Sequence, residues 1–331
     1  MSKIKVAING FGRIGRTVFK CIQQHPDIIV VAINDLADAR TLSHLLKYDS
    51  IHGVNNDVIT HDTENIIVND IAIPLYNNKN IEDIPWNKTT PDIVIESTGK
   101  FKSRESLESH ITTGAKKVIL SVPPIDEETP MVVLGVNDDL LNGSETIISN
   151  ASCTTNNAAP MIQVIDDLCG IEQAYITTIH SYTTDQSLHD QPHRDLRRSR
   201  AASQSIIPTT TGAAKALTKI FPHLSDVIGG CGIRVPVPNG SLTDITFNVK
   251  KEVTIEAVNE AMRIASQTNL KGIVSYTEDP IVSIDIIGNT HSCTFDSQMT
   301  SVIGKMVKII GWYDNETGYS NRIIDLILKI S

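Results

Sequence analysis

The sequence predicts an α/β fold for the first half of the chain, a doubly wound parallel sheet, joined to an α+β second half with a mostly antiparallel sheet. Three observations carry this. Short apolar, strand-like runs alternate with helical patterns up to residue 150. The first of those runs passes directly into a glycine-rich turn and a helix. Beyond residue 240, alternating β-branched runs dominate, crossed by few helices. At 331 residues the chain suits two domains, divided at 1–150 and 151–315.

Taken in order, Lys3-Ile4-Lys5-Val6-Ala7-Ile8-Asn9 reads as a buried strand, followed by Gly10-Phe11-Gly12-Arg13-Ile14-Gly15 and a helix over Arg16–Ile22. The three glycines have separate tasks: a tight turn, close backbone approach to a pyrophosphate, and close helix–strand packing. The pyrophosphate would lie at the helix N-terminus, on free N–H groups and the positive end of the dipole. A second strand, Ile28–Asn34, ends at Asp35, twenty residues after Gly15. A carboxylate there accepts from adenosine ribose hydroxyls and repels a 2′-phosphate, so the pattern points to NAD rather than NADP. Val54–Trp86 reads as an antiparallel addition to the sheet, with short runs such as Asn65–Asn69. Pro91–Glu96 and Lys116–Leu120 read as further strands, and Ser103–Thr113 as a helix closed by Gly114. Thr98, Gly99 and Ser121 follow strand ends, where a doubly wound sheet binds its ligands, and they read equally as turn residues.

The stretch Ser149-Asn150-Ala151-Ser152-Cys153-Thr154-Thr155-Asn156-Asn157 follows the strand-like Thr146-Ile147-Ile148 and opens a helical pattern over Pro160–Leu168. A cysteine in the first helical turn meets unpaired N–H groups and the positive dipole end, which favour a thiolate. A buried structural cysteine is the alternative. A strand over Ala174–Ile179 then ends at His180, whose imidazole suits proton transfer beside a thiolate. The polar segment from Ser181 to Gln204 carries Arg194, Arg197, Arg198 and Arg200, suited to a subunit contact or to a small-anion site. Pro208–Lys215, rich in hydroxyls, reads as a helix start able to hold an anion, and Arg234 is a second arginine candidate. Thr243–Val249, Ile281–Ile286 and Met306–Trp312 read as strands, Thr254–Gln267 and Ser320–Ile330 as helices.

Composition narrows the classes. A formal net charge of −9 argues against nucleic acid or an anionic membrane as the main partner. No apolar run approaches the ~18 residues that span a bilayer, and the first residues carry no secretory h-region. The five cysteines, Cys21, Cys153, Cys169, Cys231 and Cys293, show no CxxC spacing. This fits a reducing cytoplasm and argues against a disulfide framework or a bound metal.

Together these residues resemble phosphorylating glyceraldehyde-3-phosphate dehydrogenases over essentially the whole chain. The markers are Asn9-Gly-Phe-Gly-Arg-Ile-Gly-Arg16, Leu45-Leu-Lys-Tyr-Asp49, Ser149-Asn-Ala-Ser-Cys-Thr-Thr-Asn156, Asp195-Leu-Arg-Arg198 and Trp312-Tyr-Asp-Asn-Glu-Thr-Gly-Tyr-Ser320. The resemblance implies a Rossmann NAD-binding domain, completed by the last helix at 316–331, and Cys153 as nucleophile with His180 as its base. It implies an inorganic-phosphate pocket at Ser152, Thr154, Thr211 and Gly212, and a substrate-phosphate pocket at Thr183, Arg198 and Arg234. Cofactor contacts would come from Asn9, Gly10, Phe11, Gly12, Arg13, Ile14, Gly15, Asp35, Thr98, Gly99, Ser121, Asn315 and Tyr319. It also implies a homotetramer with the Ser181–Gln204 segment packed between subunits.

The sequence departs from that pattern at Asn157, where many relatives have a second cysteine, and at Thr184, Cys231 and Gly240. The nearest rival is the related erythrose-4-phosphate dehydrogenase, towards which Arg198–Pro208 leans. Tyr182-Thr183 and Thr210-Thr211-Gly212 favour the triose enzyme. A binding or surface-adhesion role with incidental chemistry is the reading from another class.

Overall fold

Val6, Ala7 and Ile8 lose all their solvent exposure, as do Val94 and Ile95, because the strands that carry them run through the middle of a sheet covered on both faces. The computed structural model describes residues 3–331. The chain divides into two units: one comprises residues through Val132, Asp139–Ala151 and Ser320–Ser331, and the other Val133–Asp138 and Ser152–Tyr319.

The first unit contains β1 (Ile4–Asn9), α1 (Arg13–Gln23), β2 (Ile28–Asn34), α2 (Ala39–Lys47), β3 (Tyr48–Asp49), β4 (Gly53–Val54), β5 (Ile59–His61), β6 (Asn65–Val68), β7 (Ile71–Tyr76), β8 (Ile93–Glu96), α3 (Arg104–Thr112), β9 (Lys117–Leu120) and β10 (Ile147–Ser149). Its main sheet has the order β10-β9-β8-β1-β2-β7-β6-β5. Pairing is parallel from β10 to β7, while β6 and β5 add the antiparallel edge expected from the Asn-rich turns. The register sets Asn9 beside both Asn34 and Glu96, so three polar side chains share the carboxyl end of the sheet.

The glycine turn follows the expected division of labour. Gly10 has φ +91°, and a Cβ there would lie 2.7 Å from the Thr98 nitrogen. A Cβ on Gly15 would lie 2.2 Å from the Gly10 carbonyl oxygen, which is the close helix–strand approach. A Cβ on Gly12 would meet no atom within 4 Å.

The second unit contains α4 (Cys153–Cys169), β11 (Ile171–Ser181), β12 (Ile207–Thr209), α5 (Ala213–Ile220), β13 (Ile228–Val235), β14 (Ser241–Val249), α6 (Ile255–Gln267), β15 (Val274–Thr277), β16 (Cys293–Asp296), β17 (Ser301–Ile303) and β18 (Met306–Tyr313). The last helix, α7 (Thr317–Ile330), begins in this unit and lies mainly in the first. The sheet order is β12-β13-β11-β14-β18-β16-β15, with β17 on β18. It is mostly antiparallel, but β11 pairs with β13, and β15 with β16, in parallel.

Two local readings change. Ile281–Ile286 alternates like a strand, yet Ser283–Ile286 is a 3₁₀ turn. The Asp285 carboxylate accepts the Val282 N–H at 2.8 Å, a local bond that closes the turn before a ladder can form. Pro208 falls in β12, not in a helix start; β12 is an edge strand, where a missing N–H is tolerated, and α5 begins at Ala213.

Candidate active site and nucleotide cleft

In the second unit, α4 begins where the sequence places it. Ser152 is the N-cap, its hydroxyl accepting the Thr155 N–H at 3.1 Å, and Cys153 is the first helical residue. Ala151, just before it, has φ +54°, a strained backbone of the kind that collects at reactive sites. β11 brings His180 to the same point: Cys153 Sγ lies 3.5 Å from His180 Nε2.

The electrostatics of this pair pull in opposite directions. Burial pushes the Cys153 thiol up from its ordinary value, and it outweighs the Arg234 guanidinium, the Thr154 hydroxyl and the N–H groups of Thr154 and Cys153, all of which favour a thiolate. The helix start thus acts on the sulfur as expected, but desolvation of the half-buried sulfur dominates. Burial, reinforced by Arg234, lowers His180 to about 3, so its ring is a neutral imidazole able to take a proton.

His180 Nδ1 lies 2.8 Å from the Ser181 carbonyl and 2.7 Å from Arg234 Nη1, and it serves one of them at a time. Donating to the carbonyl leaves Nε2 free to accept a proton from the reacting group. Accepting from Arg234 puts the ring proton on Nε2, facing the sulfur. Parallel pairing of β11 with β13 sets Arg234 directly opposite His180. Tyr313 closes the site: its ring meets His180 edge-on at 5.9 Å, and its hydroxyl bonds to Thr154 at 3.0 Å and Thr178 at 2.8 Å. Sequence reading missed Tyr313; the marker segment that begins at Trp312 was its only trace.

The other expected residues of this unit are placed as follows. Ser152 and Thr154 belong to the start of α4, Thr211 and Gly212 to the start of α5, and these helices pack together. The Thr211 hydroxyl accepts the Ala213 N–H at 3.2 Å. Arg198 donates from Nε to Thr209 at 2.9 Å, from Nη2 to the Thr210 carbonyl at 3.2 Å, and from Nη1 to Asp185, which binds it to the polar segment. The Thr183 N–H donates to Gln186 at 3.3 Å. Asn315 Oδ1 accepts hydroxyls from Ser181 and Ser241, each at 2.9 Å, and Tyr319 is buried. Asn157 is buried in α4, its amide donating to the carbonyls of Ser292, Gly311 and Trp312 at 3.3 Å each.

In the first unit, Asn9, Gly10, Gly12, Asp35 and Thr98 line one cleft of about 220 Å³ together with Asn34, Asn78, Lys79, Ser97, Lys100 and Phe101. Asp35 Oδ2 accepts the Phe11 N–H at 2.7 Å and Oδ1 the Ala37 N–H at 3.0 Å, which fixes the carboxylate at the cleft. The Phe11 ring is buried against Phe19 at 5.7 Å. The Arg13 guanidinium turns to Asp49 at 3.2 Å, where Lys20 joins it at 3.4 Å. Ile14 and Gly15 continue α1, while Gly99 (φ +68°) and Ser121 follow β8 and β9. A nucleotide fits these residues: Gly12 leaves room at the helix start, and Asp35 presents acceptors to ribose hydroxyls. Of the polar lining, Asn34, Asn78, Lys79, Ser97 and Lys100 were not read from sequence. That both β1 and β2 end in Asn was the signal for Asn34.

A doubly wound nucleotide-binding unit and a second unit with a paired cysteine and histidine at a helix start define an NAD-dependent dehydrogenase. The family model for the glyceraldehyde 3-phosphate dehydrogenase NAD binding domain matches residues 4–104, and that for its C-terminal domain matches residues 152–315. Glyceraldehyde-3-phosphate dehydrogenase 2 of Streptomyces avermitilis is 53% identical over 330 residues, covering 99% of this chain and 98% of its own length. The glyceraldehyde-3-phosphate dehydrogenase of Geobacillus stearothermophilus is 50% identical with the same coverage. The chain belongs to the glyceraldehyde-3-phosphate dehydrogenase family.

Proposed function

We propose that the protein oxidises glyceraldehyde 3-phosphate with NAD and inorganic phosphate to 1,3-bisphosphoglycerate, with Cys153 as nucleophile and His180 as base. The observation that carries this is the 3.5 Å approach of Cys153 Sγ to His180 Nε2 at the N-terminus of α4. The sulfur attacks the aldehyde carbon to form a thiohemiacetal. His180 Nε2 takes the hydroxyl proton, and the Cys153 N–H stabilises the developing oxyanion. NAD supplies the hydride acceptor that leaves a thioester on Cys153. Phosphate oxygen then attacks the thioester carbonyl, the C–S bond breaks, and the acyl phosphate departs with Cys153 regenerated.

Two anion pockets serve this sequence: Ser152, Thr154, Thr211 and Gly212 for inorganic phosphate, and Thr183, Arg198 and Arg234 for the substrate phosphate. The first draws on the N-termini of α4 and α5, two helices that pack against each other. Asn9, Gly10, Phe11, Gly12, Arg13, Ile14, Gly15, Asp35, Thr98, Gly99 and Ser121 hold the cofactor, and the family resemblance adds Asn315 and Tyr319 to its contacts.

The enzyme works as a homotetramer in the cytoplasm. The segment from Ser181 onward leaves Leu188, Leu196 and Ile206 exposed, apolar side chains that a subunit contact would cover. Among the described residues no helix is long and apolar enough to cross a membrane.

The test is NAD reduction with glyceraldehyde 3-phosphate and with erythrose 4-phosphate, each with and without inorganic phosphate. Preference for the triose and an absolute need for phosphate are expected. Equal or faster turnover of the tetrose without phosphate would replace this reading with the erythrose-4-phosphate dehydrogenase.

A further inference from the structure

Glu96 ends β8 beneath the nucleotide cleft with no exposed surface, and its carboxylate faces four donors. Oε1 accepts the Thr98 N–H at 2.9 Å and the Thr98 hydroxyl; Oε2 accepts Asn9 Nδ2 at 2.5 Å and His110 Nε2 at 3.1 Å. No lysine or arginine pairs with it in this set of contacts. Buried carboxylates are costly unless every lone pair is met, and here the donors that meet them belong to two residues lining the cleft and one behind it.

The direction of every bond is set from both ends. Behind Glu96, the fully buried Trp86 donates its indole N–H to His110 Nδ1 at 2.9 Å. Indole only donates, so Nδ1 is an acceptor and the ring proton sits on Nε2, aimed at Glu96. In front, Asn34 Oδ1 accepts the Asn78 main-chain N–H at 2.9 Å, while Asn34 Nδ2 donates to the Asn78 carbonyl at 3.0 Å. A main-chain N–H and C=O cannot exchange roles, so the Asn34 amide is fixed. Its Nδ2 also donates to Asn9 Oδ1 at 2.8 Å, which leaves Asn9 Nδ2 facing Glu96. Of this chain, Asn9, Asn34, Asn78 and Thr98 line the cleft; Glu96, His110 and Trp86 do not.

We infer that Glu96, held by His110 and Trp86, is a positioning residue that sets the amide of Asn9 and the loop at Thr98 for the adenosine half of the cofactor. This rests on the NAD reading of the first unit. Its consequence is specific to the acceptor character of Glu96. A glutamine of the same shape would put an NH₂ in place of one oxygen. At the Oε2 position it would meet two donors that cannot reverse. At Oε1 it would meet the Thr98 N–H, and the strain would fall on the loop that lines the cleft.

The experiment is calorimetric titration of the full-length protein with ADP-ribose, which carries no reactive nicotinamide, alongside NAD kinetics, for wild type, Glu96→Gln and Trp86→Phe. We expect Glu96→Gln to bind ADP-ribose about tenfold more weakly, with KM for NAD rising to match and kcat within about threefold. Trp86→Phe, remote from the cleft, is expected to bind about threefold more weakly, because His110 loses the partner that fixes its proton. Wild-type affinity in a folded Glu96→Gln, or a loss confined to kcat, overturns the inference. Should that variant fail to fold, unchanged affinity in Trp86→Phe overturns it and weakened affinity supports it. A purely structural role would lower the melting temperature of either variant and leave its affinity alone. Failure of the wild-type protein to bind ADP-ribose would instead overturn the NAD reading, and this inference with it.

Discussion

The two units bury polar chemistry in opposite ways. In the first, Glu96 is enclosed but fully answered: four donors converge on it, and neighbours that cannot reverse dictate where each proton lies. In the second, a buried His180 and a half-buried Cys153 are left unsettled. Burial opposes charge on both, Arg234 favours the thiolate and disfavours the imidazolium, and His180 Nδ1 is contested by a donor and an acceptor. A network whose donors and acceptors all match is rigid and suits binding. A pair whose proton has more than one place to go suits chemistry.

Three experiments test that contrast, beginning with the largest expected effect. Cys153→Ala is expected to lower NAD reduction by about 10⁴-fold or more, since covalent capture is lost. ADP-ribose binding in the same variant is expected to stay at the wild-type value; a matching loss there would mean that the two units are not separate in function. Gly12→Ala works on the other side. The new Cβ would meet no atom of the chain within 4 Å, so unfolding free energy is expected to change by less than about 1 kcal/mol. NAD affinity is expected to fall about tenfold as the methyl takes the place of the pyrophosphate. Unaltered affinity would remove Gly12 from the cofactor site.

The smallest effect is a slope. His180 is lowered to about 3 in the folded protein, whereas in the unfolded chain its value is ordinary, about 6.5. Between those values the unfolded chain binds a proton that the folded one does not. Stability contributed by the neutral ring is therefore present above pH 6.5 and lost as pH falls through the window, by up to about 1.4 kcal/mol per pH unit. Urea unfolding of wild type and His180→Gln at pH 7 and pH 5 measures it. The variant is expected to show the flatter dependence; equal slopes would mean that the ring is not held neutral.

Much of this was legible before the structure. The Gly10–Gly15 turn, Asp35 and the place of Cys153 in the first turn of α4 depend on runs of a few residues, in which backbone geometry is local. The failures are of two kinds, one local and the other long-range. Ile281–Ile286 was misread because a period of two does not reveal the Asp285 carboxylate that closes its turn. Tyr313 escaped notice because it reaches Thr154 across 159 positions, and Arg234 was assigned to a phosphate without its bond to His180 because the pairing of β11 with β13 spans 54.

By itself the sequence determined the family, the cofactor class and, α2 apart, the order of strands and helices in the first unit, and it named Cys153 and His180 as the candidate pair. Each rests on residue type at short, defined spacing. Only the tertiary structure decided how those groups are charged and where their protons point. It raised the Cys153 thiol despite the helix start, lowered His180, directed the ring proton of His110 through Trp86, and made Glu96 the hub of the network behind the cleft. Desolvation and hydrogen-bond direction depend on which distant elements close around a group, and that is a property of the packed sheet and its register rather than of any stretch of chain.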